Sequence, residues 1–130
     1  MTQYLAAVTV VVPDYDEAIA FYVGKLGFRL IEDRPLSSSK RWVLVSPRAS
    51  AETHLLLAKA TSDEQKRVIG NQTGGRVFLF LRTDDFERDH RAFKQAGVEF
   101  LESPRVETYG KVAVFRDPFG NKWDLIQPRE

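Results

Sequence analysis

An α+β fold of two related halves, each a strand, a helix and three further strands, accounts for the order of apolar runs, caps and glycines along this chain. Strand-like runs rich in β-branched and aromatic residues alternate with two amphipathic segments, and each of those segments opens at an aspartate and closes at a glycine. Superposing Gly27 on Gly97 also aligns Asp14 with Asp84, Glu17 with Glu87, Phe28 with Val98, Leu30 with Phe100 and Glu32 with Glu102. The order strand, cap, helix, glycine, strand therefore recurs, as expected of a duplicated βαβββ module.

The elements follow in turn. Leu5 to Val12 is a β-branched run that ends at Pro13-Asp14, which predicts a buried strand and a turn. Asp14, with Glu17 three residues on, has the spacing of a helix N-cap. Ala18, Ile19, Phe21, Tyr22 and Leu26 then recur at helical spacing, and Gly27 stands where a left-handed C-terminal cap belongs. Phe28 to Ile31 predicts a strand, as do Trp42 to Ser46 and His54 to Ala58. Thr61 to Gly75 is polar, carries a short helical pattern from Ser62 to Ile69, and ends in Asn71-Gln72-Thr73-Gly74-Gly75; it predicts a connector. In the second half, Arg76 to Leu81 predicts a strand, Thr83 or Asp84 a cap, and Phe86 to Ala96 a helix stopped by Gly97. Val98 to Leu101, Lys111 to Phe115 and Lys122 to Ile126 complete it. The chain is expected to be one domain over residues 1–130, with modules over about 4–60 and about 75–127.

Composition narrows the function classes. Hydrophobic residues make up 43% and charged residues 28%, the balance of an ordinary globular chain. Nineteen basic against eighteen acidic side chains leave a net charge of +1, which gives no electrostatic reason to bind nucleic acid or an anionic membrane. The absence of cysteine excludes disulfides, thiolate metal sites and cysteine nucleophiles. Met1-Thr2-Gln3-Tyr4 lacks the basic segment of a signal peptide, and the apolar run that follows is too short to span a bilayer, so a cytoplasmic location is expected.

Asp117-Pro118-Phe119-Gly120 suits a tight turn, with proline fixing φ and glycine accepting a left-handed conformation. It is preceded by Tyr109-Gly110 and a strand, and followed by Asn121 and Trp123-Asp124-Leu125-Ile126. This arrangement resembles the closing hairpin of the vicinal oxygen chelate superfamily, which holds glyoxalase I, bleomycin-resistance proteins, fosfomycin-resistance enzymes and extradiol dioxygenases. Val12-Pro13-Asp14, Ala18-Ile19-Ala20-Phe21-Tyr22 and Leu26-Gly27-Phe28 are similar to that family's first strand, helix and turn. The resemblance implies two βαβββ modules whose curved mixed sheets form a cleft, helices on the outer face, and a homodimer. By strand alternation Trp123 and Leu125 would face the helices and Asp124 the cleft. Arg76, Phe78 and Phe80 would line the cleft from the fifth strand, and Ala7, Thr9 and Val11 from the first.

Catalytic members of the family hold one divalent ion with His and Glu side chains on the first, fourth, fifth and eighth strands. Carried over, those positions fall on Ala7, Leu56 (with His54 two residues earlier), Arg76 and Asp124. Alanine has no donor and a guanidinium has no lone pair to give. No cofactor is therefore expected; iron, manganese, nickel or zinc on Asp124 and His54, with Glu52 or Glu107 enlisted, is the alternative. An Arg76–Asp124 ion pair is expected in place of the metal. The expected ligand is a small organic molecule, sequestered or turned over, with Arg76 reading an anionic group. Trp42, Phe78 and Phe80 would wall the site, core packing being the alternative for each; Tyr109 would border its mouth or cap a hairpin, and Arg41 and Lys122 would add positive charge or simply be solvated. The rival readings are a metal-dependent lyase or dioxygenase with a rearranged ligand set, and a non-catalytic dimer whose cleft is filled by its own side chains. His90, in the run Glu87-Arg88-Asp89-His90-Arg91, is expected on a solvated helix face.

Overall fold

The computed structural model describes residues 2–129, which divide into two units, the first ending at Ile69 and the second starting at Gly70. In the first, the elements are β1 (Ala7–Val12), α1 (Tyr15–Tyr22), β2 (Arg29–Pro35), β3 (Arg41–Ser46), β4 (His54–Lys59) and α2 (Asp63–Val68). Its four-stranded sheet has the order β1-β4-β3-β2, with β1 and β4 parallel and the other pairs antiparallel. Asp14 caps α1 by accepting the amide N–H of Glu17 at 2.8 Å, but the helix ends at Tyr22 with Val23 as its C-cap, so Gly27, at φ 76°, closes the turns that follow and is not the cap expected of it. Val10 and Val12 of β1, Leu55 and Leu57 of β4, and Val43 and Val45 of β3 are buried with Phe21 and Tyr22 of α1. The intervening residues form the opposite, open face of the sheet. The predicted connector helix is α2, capped by Ser62 and packed on β1 within this unit.

The second unit contains β5 (Leu79–Arg82), α3 (Phe86–Gln95), β6 (Glu99–Phe100), β7 (Arg105–Glu107), β8 (Gly110–Arg116) and β9 (Lys122–Pro128). Its sheet runs β5-β9-β8-β6, with β7 also pairing β8. β6 pairs the C-terminal end of β8 and β7 its N-terminal end. They are thus two pieces of one edge strand, broken where Ser103-Pro104 leave the ladder. At the break Leu101 N–H donates to the Val114 carbonyl at 2.8 Å, while the Glu102 carboxylate accepts the Val114 N–H at 2.9 Å. Each unit is thereby a βαβββ module, and the chain is an α+β fold with two mixed sheets.

Three local expectations are corrected. The strand expected from Arg76 starts at Leu79, because the Arg76 carbonyl accepts the Thr73 hydroxyl at 2.6 Å and is held in a turn outside the ladder. The cap of α3 is Asp85, not Thr83 or Asp84: Asp85 accepts the Arg88 N–H at 3.1 Å, and Thr83 accepts the Asp85 N–H at 3.0 Å. β7 was not anticipated. The shift of cap also shifts the internal alignment by one residue, so that Arg88, not Glu87, stands where Glu17 does.

His90 is likewise not on a solvated face. Its ring stacks on Phe86 at 5.4 Å and leans on Phe100 at 4.4 Å, the i to i+4 neighbour on α3 and the β6 aromatic across from it. Burial, and secondarily the charge of Lys94, lowers its pKa from the ordinary value of 6.5. Because folding favours the neutral ring, proton uptake favours the unfolded chain. The stability held near neutral pH is expected to fall as the pH drops below about 6.5. Urea midpoints measured at pH 7.5 and 5.5 check this: His90→Phe should flatten the decline, and an equal decline in that variant would refute it.

Candidate functional site

The open face of the second sheet carries the most unusual polar arrangement. β9 alternates so that Trp123 and Leu125 turn to the helix side, buried with Phe115 and Ala113 of β8. Asp124 therefore turns to the open side, in one row with Phe80 of β5 and Val114 of β8. Asp124 is only 7% exposed, and its buried Oδ1 has no hydrogen-bond partner. Phe80 beside it is 66% exposed. A carboxylate walled off from water next to an open aromatic ring offers an acceptor and a hydrophobic platform on one surface.

Charge around Asp124 comes from the interrupted edge strand. Arg105 shares the open side through its pairing with Val112, which pairs in turn with Ile126. Its guanidinium donates to Glu102 at 3.0 Å and pairs with Glu107, and these carboxylates raise its pKa, Glu102 most. Burial raises the pKa of Asp124; Arg105 opposes this and Glu102 adds to it. Arg82, beside Ile126, and Lys122, two residues before Asp124, share this face by the same alternation, so its carboxylates stand among cations. Tyr109 stands in the two-residue turn that joins β7 to β8 through the Glu107–Gly110 pair. It is therefore fixed in a hairpin and half exposed.

The Arg76–Asp124 ion pair is not formed: among the described residues Arg76 makes no ion pair, and the charged neighbours of Asp124 are Arg105 and Glu102. Arg76 instead lies, with Phe78 and Lys122, along a groove beside the 70–75 turn. Arg41 is also not free to meet an anion, since it forms a fork with Asp33 at 2.8 and 3.2 Å and a further pair with Asp16 at 2.9 Å. In the first unit, half-buried His54 and Trp42 share the open face with half-buried Leu56 and buried Leu44. The Nδ1 of His54 is buried without a partner. Sequence reading missed Arg105 and Glu102, which sit beside the unanticipated strand; the alternating charges of Glu102, Arg105 and Glu107 were the available signal.

The donor set does not fit the metal centre that the family implies. With caps at Asp14 and Asp85, the positions seven residues upstream are Ala7 and Phe78, and the ladders agree: Ala7 lies beside His54 as Phe78 lies beside Lys122. The fifth-strand position is thus Phe78 in place of Arg76, and neither Ala7 nor Phe78 has a lone pair. Among the described residues no group of three or more His, Asp or Glu side chains is placed to hold an ion. No helix among them is long and apolar enough to cross a membrane.

Comparison with known proteins places this geometry. The chain is 54% identical over 128 residues to an uncharacterised protein of Shewanella frigidimarina strain NCIMB 400, covering 98% of this chain and 95% of that one. The crystal structure of UcmS2 superposes with a TM-score of 0.83 at 30% identity, covering 97% of this chain and 98% of that one. That of TnmS3, an antibiotic-binding protein from Streptomyces sp. CB03234, superposes with a TM-score of 0.79 at 32% identity over 99% of both chains. Residues 4–125 match the model of a single family, and with its two βαβββ modules the chain belongs to the Glyoxalase/Bleomycin resistance protein/Dioxygenase superfamily.

Proposed function

We propose that this protein binds a small planar organic molecule on the open face of its second sheet, without a metal ion. The observation that carries the reading is the buried, unpartnered Oδ1 of Asp124 in the same row as the exposed Phe80. A ligand that stacks on Phe80 and donates an N–H or O–H to Asp124 would satisfy the orphaned acceptor and cover the ring. The unpartnered oxygen of Asp124 favours a ligand that brings an N–H or O–H donor to it. The likeness to an antibiotic-binding protein of similar length supports sequestration as the role. Metal independence rests on Ala7 and Phe78, which leave two family ligand positions without a donor. The homodimer implied by the family belongs to the same reading, and sedimentation equilibrium tests it.

Equilibrium titration with 9-aminoacridine, a planar aromatic amine followed by its own fluorescence, tests the ligand assignment. Binding in the micromolar range is expected, unchanged after exhaustive chelation. Phe80→Ala should weaken it about tenfold, a loss of about 1.4 kcal/mol of stacking and burial. No binding at 100-fold protein excess over that range, or binding abolished by chelation, would sink the proposal. Near-stoichiometric iron, manganese, nickel or zinc in protein purified without chelators would favour the metal-dependent lyase or dioxygenase built on Asp124 and His54.

A further inference from the structure

The turn at residues 70–75 and the hairpin at residues 119–122 enclose a groove of about 250 Å3 inside the second unit, beside the Asp124 row. This is about eight times a water molecule's share of liquid volume, enough for a molecule of a few carbon atoms. Its walls are fixed by backbone. Gly70 has φ 73°, and a Cβ there would stand 1.8 Å from the Phe119 carbonyl oxygen, so only glycine allows the two segments to meet. Lys122 Nζ reaches across to the Gly75 carbonyl at 3.2 Å, and the Thr73 hydroxyl holds the Arg76 carbonyl.

The chemistry of the groove is of two kinds. Arg76 and Lys122 are both exposed, and among the described residues neither forms an ion pair, so the lining is cationic. Asn121 is 2% exposed and rigidly held: its backbone N–H donates to Asp117 Oδ1 at 2.9 Å and its Nδ2 to Asp117 Oδ2 at 2.8 Å. That orientation leaves Oδ1 of Asn121 as a buried acceptor with no donor. The charge of Asp117 is engaged by these two groups and by the Phe119 N–H at 3.0 Å. Cations alone would suit any anion; the orphaned amide oxygen asks for a donor as well.

We infer that the groove is a binding site for a small oxyanion that bears its own hydroxyl or ammonium donor, such as a 2-hydroxy carboxylate or a singly protonated phosphate. The oxyanion meets Arg76 and Lys122, the donor meets Asn121 Oδ1, and the half-buried Phe78 ring covers the carbon side. Phe78 and Lys122 stand one alternation before Phe80 and Asp124, so the groove adjoins the Asp124 row, and its ligand is assigned from the groove's own residues.

Titration of the ¹⁵N-labelled full chain with lactate, inorganic phosphate and acetate tests the inference, read at the amides of Gly74, Gly75 and Asn121. Lactate or phosphate is expected to shift these amides to saturation in the millimolar range, and whichever binds tighter identifies the oxyanion. Acetate, with the charge and no donor, should bind about tenfold more weakly. Arg76→Gln, at an exposed position that leaves the fold intact, should weaken lactate or phosphate about tenfold. Equal binding of acetate, unchanged binding in Arg76→Gln, or no shift of these amides by any probe at 50-fold excess over that range would overturn it. Because the groove amides are read directly, the answer does not depend on whether Phe80 takes a ligand.

Discussion

Phe115→Ala is expected to cost about 3–5 kcal/mol of stability, the largest single effect of any substitution considered for this protein. Phe115 is fully buried on the helix side of β8. Its ring meets Phe93 of α3 at 5.6 Å and Phe100 of β6 at 5.6 Å, and stacks on Trp123 of β9 at 5.9 Å with planes 15° apart. It therefore joins the helix, the edge strand and the central pair of strands in one aromatic cluster. Truncation removes transfer free energy and leaves a cavity among rings attached to separate backbone elements, which cannot close over it together. Set against a typical domain stability of about 5–15 kcal/mol, such a loss brings the protein close to unfolding. Urea unfolding followed by tryptophan fluorescence, from Trp42 and Trp123 together, measures it. Phe80→Ala, on the exposed side of β5 two strands away, should by contrast stay within about 0.5 kcal/mol. A cost below 1 kcal/mol for Phe115→Ala would mean that α3 does not rest on this cluster.

The side on which Phe80 lies was legible in the sequence, because strand alternation assigns sides without any knowledge of partners, although no side was assigned to Phe115. The same rule placed Trp123 and Leu125 inward and Asp124 on the other face. The Asp14 cap and the glycine at 97 were legible too, since each performs a local backbone task at a helix end, whereas α1 stops at Tyr22, short of Gly27. What could not be read depended on choices among local equals. Thr83-Asp84-Asp85 offers three capping side chains in a row, and the ladder decides between them: Thr83 still donates its N–H to Ile126 at 2.9 Å, so the helix starts two residues later. Arg76-Val77 continues an apolar run in sequence, yet the Thr73 hydroxyl captures the Arg76 carbonyl before pairing begins. Pro104 hid the second piece of the edge strand, and with it the reason for Arg105 to face Asp124. Charged neighbours on the chain masked His90, although Phe86 four residues earlier was the sign of an aromatic stack. The candidate site was thus half visible. Its strand residues follow from periodicity, whereas its charges come from an element whose pairing is long-range.

Asp124→Asn is expected to stabilise the folded chain at neutral pH and to weaken ligand binding. Folding moves this carboxyl from solvent to a site where Oδ1 has no donor, and burial raises its pKa, with Arg105 only partly opposing. A group whose pKa is raised by folding supports the fold while it is protonated. That support is present at and below the ordinary carboxyl value of 3.8 and is lost as the pH rises through the folded-state pKa. An amide of the same shape never ionises, so the variant should gain about 1–3 kcal/mol over the parent at pH 7.5 and nothing at pH 3.5. Urea midpoints at the two pH values measure the difference. In 9-aminoacridine titrations the same variant should lose about tenfold in affinity, because a neutral amide oxygen replaces a charged acceptor. A variant less stable than the parent at pH 7.5 would show that Arg105 satisfies the carboxylate in full, and the face would then be a structural ion cluster. A gain in stability joined to a loss of binding would identify Asp124 as a residue kept at the expense of the fold for the sake of what it binds.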